Sequence, residues 1–153
     1  MALGRARSSQ TNLREERVKK NRTEELLDLI GQLLAEDTEY PLEGTLLHAE
    51  VERASVGPSI FKNLGNHILY RDPDLDRLGD ALLDLWYAQE GEKRWAEIEY
   101  IVRNGRFEAT FVYPEEIDPD EEPLDRRTRI VARYFGDKPI VYPPWEEHDS
   151  FQL

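Results

Sequence analysis

From Trp95 to Tyr113 apolar and polar residues alternate on either side of Asn104-Gly105. That dipeptide accepts φ > 0 at both central positions and so predicts a two-residue type I′ turn. With Arg103 opposite Arg106, one face pairs Val102 with Phe107, Tyr100 with Ala109, Ile98 with Phe111 and Ala96 with Tyr113. The other carries Glu97, Glu99, Ile101, Arg103, Arg106, Glu108, Thr110 and Val112. A slip of one residue would mix the two sets, so their separation fixes the register and predicts a solvated second face. Thr45 to Arg53 alternates too, with Leu47, Ala49 and Val51 on one side and His48, Glu50 and Glu52 on the other. Gly57-Pro58 reads as a turn and residues 60–70 as a further strand, with Ile68 and Tyr70 inward and Asn63, Gly65 and Asn66 interrupting it.

Three stretches carry a helical period instead. The first follows Thr23 as cap, with Glu24 and Glu25 in the first turn, buries Leu26, Ile30, Leu33 and Leu34, and ends before Pro41. The second takes Asp72 as N-cap and Pro73 as its first residue, presents Leu75, Leu78, Leu82, Leu85 and Trp86, and closes at Gly91. The third starts at Leu124, has Ile130, Val131, Tyr134 and Phe135 on its apolar side and Arg126, Arg127, Arg129 and Arg133 on its polar side, and stops at Gly136. The order α-β-β-α-β-β-α predicts an α+β fold, an antiparallel sheet of about four strands with helices packed on one face. Residues 23–138 form this single domain, between a basic, flexible arm at 1–22 and an extended Pro-rich tail at 139–153.

A chain of 153 residues fits one domain and buries enough surface to fold without staples. There is no Cys, hence no disulfide, no thiolate nucleophile and no Cys-ligated zinc. No apolar run is long enough for a membrane span or a signal peptide, which predicts a soluble cytoplasmic protein with no membrane partner. The net charge of -12 is uneven: residues 1–22 hold seven Arg or Lys against Glu15 and Glu16, leaving -17 on the other 131 residues. An acidic body repels nucleic acid, attracts a cationic partner, and keeps the domain soluble. Nucleic acid would be touched only through the arm.

Catalytic chemistry finds little support. His48, His67 and His148 lack metal-ligand spacing, Ser55 and Ser59 lack a nucleophile elbow, and neither common phosphate-binding glycine motif is present. No cofactor or metal is expected. The acidic loop from Glu115 to Glu122 lacks the residue spacing of a Ca²⁺ loop. Glu97 and Glu99 lie two apart on one strand face, a pairing that glycoside chemistry would use only in a cleft and with one raised pKa. Arg126, Arg129 and Arg133, at helical spacing, would grip a phosphate or a partner, or else neutralise the acidic loop and hairpin glutamates from within. Internal pairing is the preferred reading.

The segments Trp95-Ala-Glu-Ile-Glu-Tyr, Asn104-Gly-Arg-Phe-Glu, Phe111-Val-Tyr-Pro-Glu-Glu, Asp125-Arg-Arg and Arg133-Tyr-Phe-Gly together resemble the C-terminal half of the YezG-type immunity proteins. The likeness spans residues 23–136 and is densest at 95–136; the basic arm and the tail after Pro139 fall outside it. It implies a small cytoplasmic antitoxin, not an enzyme, that neutralises the toxic domain of a secreted polymorphic bacterial toxin, often a nuclease. A nuclease cleft is positive, and a carboxylate-studded inhibitor blocks it by charge complementarity. The expected partner-binding residues are Glu97, Glu99 and Glu108 on the hairpin and Glu115, Glu116, Asp118, Asp120, Glu121 and Glu122 in the loop, with Tyr142 and Trp145 as aromatic anchors. The alternative is a non-catalytic regulatory or adaptor subunit whose basic arm touches nucleic acid; deleting residues 1–22 separates the two.

Overall fold

The Asn104-Gly105 turn forms as its sequence dictates, with φ of 58° and 74°. In the computed structural model, which describes residues 21–89 and 91–144, it joins strands Glu97–Arg103 and Arg106–Val112 in the expected register, Val102 opposite Phe107, Tyr100 opposite Ala109 and Ile98 opposite Phe111. Glu43 secures the turn: its carboxylate accepts from the amides of Asn104 at 2.6 Å and Gly105 at 3.1 Å. Glu43→Ala should cost about 1 kcal/mol and speed hydrogen exchange selectively at those two amides, the net value of such a hydrogen bond.

In chain order the elements are α1 (21–35), β1 (Thr45–Glu52), β2 (Ser55–Asn63), β3 (Ile68–Arg71), α2 (Leu75–Ala88), β4 (Glu97–Arg103), β5 (Arg106–Val112), a 3-10 turn (Pro114–Glu116), α3 (Pro123–Phe135) and β6 (Ile140–Val141). The fold is α+β. The sheet has six strands rather than four, ordered β5-β4-β1-β2-β3-β6, and it is mixed because β6 joins β3 in parallel. The stretch at 60–70 is two strands, with Asn63 to His67 turning between them.

The turn expected at Gly57-Pro58 lies instead at Arg53-Ala54, where Ala54 takes a φ of 63°, and β2 runs straight through Gly57 and Pro58. Glu52 and Ser55 flank that two-residue turn, so they exchange both backbone bonds, and Pro58 faces away from β1. On that side β3 pairs only with Ile60 to Asn63, so the proline removes no ladder bond. Two helix starts shift as well. Thr23 lies inside α1, already helical at 21, and the N-cap of α2 is Asp74, whose carboxylate accepts from the Arg77 amide at 3.1 Å. Leu75 is consequently at the helix entrance and 62% exposed rather than part of the buried face.

The main correction concerns layers. α1 and α2 pack on one face over Leu47, Ala49, Ile98, Tyr100 and Val102, whereas α3 covers the other, with Val131 against Leu46, Phe61, Ile68 and Ile101. The chain leaves β5 at one edge of the sheet and must reach β6 at the other. With one face filled by α1 and α2, the crossing helix α3 takes the free face. The result is a three-layer sandwich with two cores.

Candidate functional site

Because α3 covers the second face, the hairpin carboxylates expected at the surface are interior. Glu97 and Glu99 retain 4% and 3% of their exposure. Uncompensated carboxylates would not survive there, and α3 supplies the compensation. Arg126, the one arginine of α3 that is buried, donates to Glu97 through Nε at 3.1 Å and Nη2 at 2.9 Å. His48 on β1, 3% exposed, donates from Nε2 to Glu97 Oε1 at 3.0 Å. Glu99 Oε1 accepts from Arg133 Nη2 and the Tyr134 hydroxyl, both at 2.6 Å.

These contacts set the ionisation. Burial raises the pKa of Glu97, but the hydrogen bonds from His48 and Arg126 outweigh it and hold the carboxyl at about 2. The same bonds to Glu97 raise Arg126 further, against its own burial. Burial, then the bond to the Glu99 carboxylate, pushes the Tyr134 phenol up to about 12. Glu97 is therefore a fixed anion at neutral pH, the opposite of the proton-loaded carboxyl that a general acid requires. A recess of about 190 Å³ lies beside the layer, lined by Glu99, Thr110, Arg126, Arg129 and Arg133 among others.

The preferred internal pairing thus holds for the three arginines expected to make it: Arg126 with Glu97, Arg133 with Glu99, and Arg129 with Glu121, two parallel bonds at 2.9 Å. Of the expected partner-binding residues, Glu97 and Glu99 do not reach the surface, and Glu121 is half-buried under Arg129. Glu108 is exposed and paired with Arg103 at 2.8 Å. The loop after β5 keeps its acids outside and uses several to shape itself. Glu116 accepts from the Tyr113 amide at 2.8 Å and Asp118 from the Asp120 amide at 2.9 Å, while Glu115 meets Lys93 at 3.0 Å. Asp120 and Glu122 are exposed and have no ion pair among the described residues. Tyr142 is 45% exposed, its ring 5.3 Å from that of Tyr70 and its hydroxyl accepting from Arg127. Trp145, His148 and residues 1–20 lie outside the described residues.

Two buried ionic residues carry no sequence flag. His48 reads as isolated until β1 and β4 are paired, with Glu99 opposite it and Glu97 one step along its face. Lys62, 1% exposed, donates to the Pro41 carbonyl at 3.0 Å on the α1–α2 side, where burial pushes its ammonium below the ordinary lysine value. It borders a small cavity of about 220 Å³ lined also by Glu36 and by the ion pair Arg71–Asp37. A larger cleft of about 510 Å³ opens at the end of the sheet, between the tip of the β1–β2 hairpin, Trp86, Arg94 and Pro114. Among the described residues no group of three His, Cys, Asp or Glu is placed to hold a metal ion, and no helix is long and apolar enough to cross a membrane. No family model matches the chain, and a search of curated proteins finds no match.

Proposed function

We propose that the chain is a binding protein rather than an enzyme, an acidic immunity-type protein that occludes a basic toxin domain by charge complementarity. The observation that carries this reading is the loop at 114–122. Its carboxylates other than Glu121 stand outside on a backbone pinned by Glu116 and Asp118, and Asp120 and Glu122 have no ion pair among the described residues. A surface of this kind lowers the cost of ordering on association and speeds encounter with a cation. The internal pairing of Glu97 and Glu99 points the same way, because both are engaged in holding α3. The docking surface is accordingly smaller than the sequence suggests: Glu115, Glu116, Asp118, Asp120 and Glu122, with Glu108 on β5, while Tyr142 packs on Tyr70 beside β6 at the opposite edge of the sheet and lies apart from them.

The test starts from the reading frame next to this one. Expressed alone its product should arrest growth, and co-expression of this chain should restore it. Asp120→Lys with Glu122→Lys, two exposed changes that leave the fold intact, should slow association with that product about tenfold at low salt, and the difference should shrink as salt is added. A harmless neighbour, or an association rate that the double reversal leaves unchanged, would refute the proposal.

A further inference from the structure

The two edges of the sheet are unlike. β6 has two residues and runs into Pro143-Pro144, which end pairing. β5 has seven residues in unbroken register with β4, no proline and no bulge, its charges are limited to Arg106 and to Glu108, which is paired with Arg103, and among the described residues nothing pairs with its outer side. Sheet edges left exposed are ordinarily blunted by one of those devices. Arg103 and Arg106 flank the two-residue turn and exchange both backbone bonds, as do the alternate pairs Ile101–Glu108 and Glu99–Thr110. Phe107, Ala109 and Phe111 therefore direct their backbone N–H and C=O groups outward.

We infer that β5 is a self-association edge, whose occupant is the β5 strand of a second copy of this chain, antiparallel and centred on Ala109. The sequence of the strand is its own complement in that register. Ala109 meets Ala109, Phe107 meets Phe111, Glu108 meets Thr110 and Arg106 meets Val112, so no like charges stand directly opposite. On the α1–α2 side two aromatic pairs flank a small central contact, and their rings are already set: Phe107 stacks on Tyr100 at 4.8 Å and Phe111 leans on Trp95 at 5.2 Å. The diagonal approach of the two Glu108 side chains is balanced by Arg103 of each chain, 2.8 Å from its own Glu108. The pairing places the outward groups of Phe107, Ala109 and Phe111 in reciprocal hydrogen bonds and makes one continuous sheet of twelve strands from two sheets of six.

Sedimentation equilibrium of the full chain should show a monomer–dimer equilibrium that tightens with salt, because each copy carries -12 and salt screens their repulsion. Binding of a cationic toxin weakens with salt, so the two proposals succeed or fail separately. Ala109→Pro removes an outward N–H that no strand of the same chain uses and should abolish the dimer, while its fixed φ and its ring against the core lower the melt by only a few degrees. Thr110→Glu sets a carboxylate opposite Glu108 twice and should weaken association about three- to tenfold, whereas Thr110→Lys should strengthen it by a similar factor; because Thr110 also stands opposite Glu99 within its own chain, both are read at concentrations and temperatures where each variant is fully folded. Should Ala109→Pro fail to fold, the opposite signs of the Thr110 pair decide. A chain that stays monomeric at high concentration and high salt, or a dimer indifferent to the Thr110 charge, overturns the inference. So does a dimer in which the Phe107, Ala109 and Phe111 amides exchange as freely as in the monomer.

Discussion

Arg126→Met should be among the most damaging single changes available in this chain, lowering stability by about 3–5 kcal/mol, the cost of leaving a buried charge without its partner. The side chain is 8% exposed and donates to both oxygens of Glu97, so its loss leaves a carboxylate that is 4% exposed with only His48 to compensate it. Methionine fills much of the same volume, so the effect reports charge rather than a cavity. Urea unfolding followed by circular dichroism measures it. The double variant Glu97→Met/Arg126→Met should recover most of the loss, leaving about 1–3 kcal/mol for the His48 N–H that no longer has an acceptor. A double variant no better than the single one would mean that packing of α3, not charge compensation, sets the cost.

The pH dependence carries the same signature. Glu97 titrates at about 2 in the folded chain against an ordinary 4.5, so its contribution is complete above 4.5 and is lost as pH falls through about 2. Removing Arg126 deletes one of the two donors that depress it. The gap between Arg126→Met and the parent protein should therefore be widest near neutral pH and narrow as the solution is acidified below 4.5, where the variant's Glu97 protonates first.

What could be read from the residues, and what could not, follows from how far apart the interacting groups lie. The β4–β5 hairpin is specified within about twenty residues by Asn104-Gly105 and strict alternation, and its register forms as expected. The β1–β2 turn is not legible, because Arg53-Ala54 carries no glycine or asparagine and the conspicuous Gly57-Pro58 sits inside a strand at a position that needs no N–H. The polar layer under α3 is the clearest failure. Its partners are 29, 34 and 49 residues apart, and each strand face, taken alone, looks like alternating wet glutamates. A clue was present: Ile101 and Val112 share that face, and β1 brings Leu46 beside Ile101. Three apolar residues among the carboxylates mark a second core, and a second core requires a covering element. Arg126, at the apolar boundary of an otherwise arginine-rich helix face, then becomes the natural partner for the buried acids. The same step moves the candidate docking surface off the hairpin face and onto the loop beyond β5.

Gly31→Ala should destabilise the protein by about 1–3 kcal/mol, although alanine in place of glycine within a helix normally adds about 1 kcal/mol. Gly31 lies in the middle of α1, and a Cβ built there would stand 2.7 Å from the Tyr100 hydroxyl oxygen. That oxygen cannot swing aside. Tyr100 has no exposed surface, its ring is stacked on Phe107 at 4.8 Å, and its hydroxyl donates to the Leu27 carbonyl at 2.8 Å. Burial pushes its phenol far above the ordinary value, so it stays protonated and keeps donating over the whole working range of pH. The glycine is thus the space through which a sheet tyrosine reaches the backbone of α1. Tyr100→Phe alone should cost about 1–2 kcal/mol for the lost hydrogen bond. It also removes the obstructing atom, and the next nearest ring atom is 3.9 Å from the built Cβ, an ordinary contact. In the Tyr100→Phe background Gly31→Ala should therefore change sign and stabilise by about 0.5–1 kcal/mol, the helix-propensity gain alone. Thermal or urea unfolding of the four proteins closes this double-mutant cycle. A coupling energy near zero would place the role of Gly31 elsewhere, whereas one of about 1.5–4 kcal/mol, the clash alone since the propensity gain is common to both backgrounds and cancels, assigns it to the passage of the Tyr100 hydroxyl.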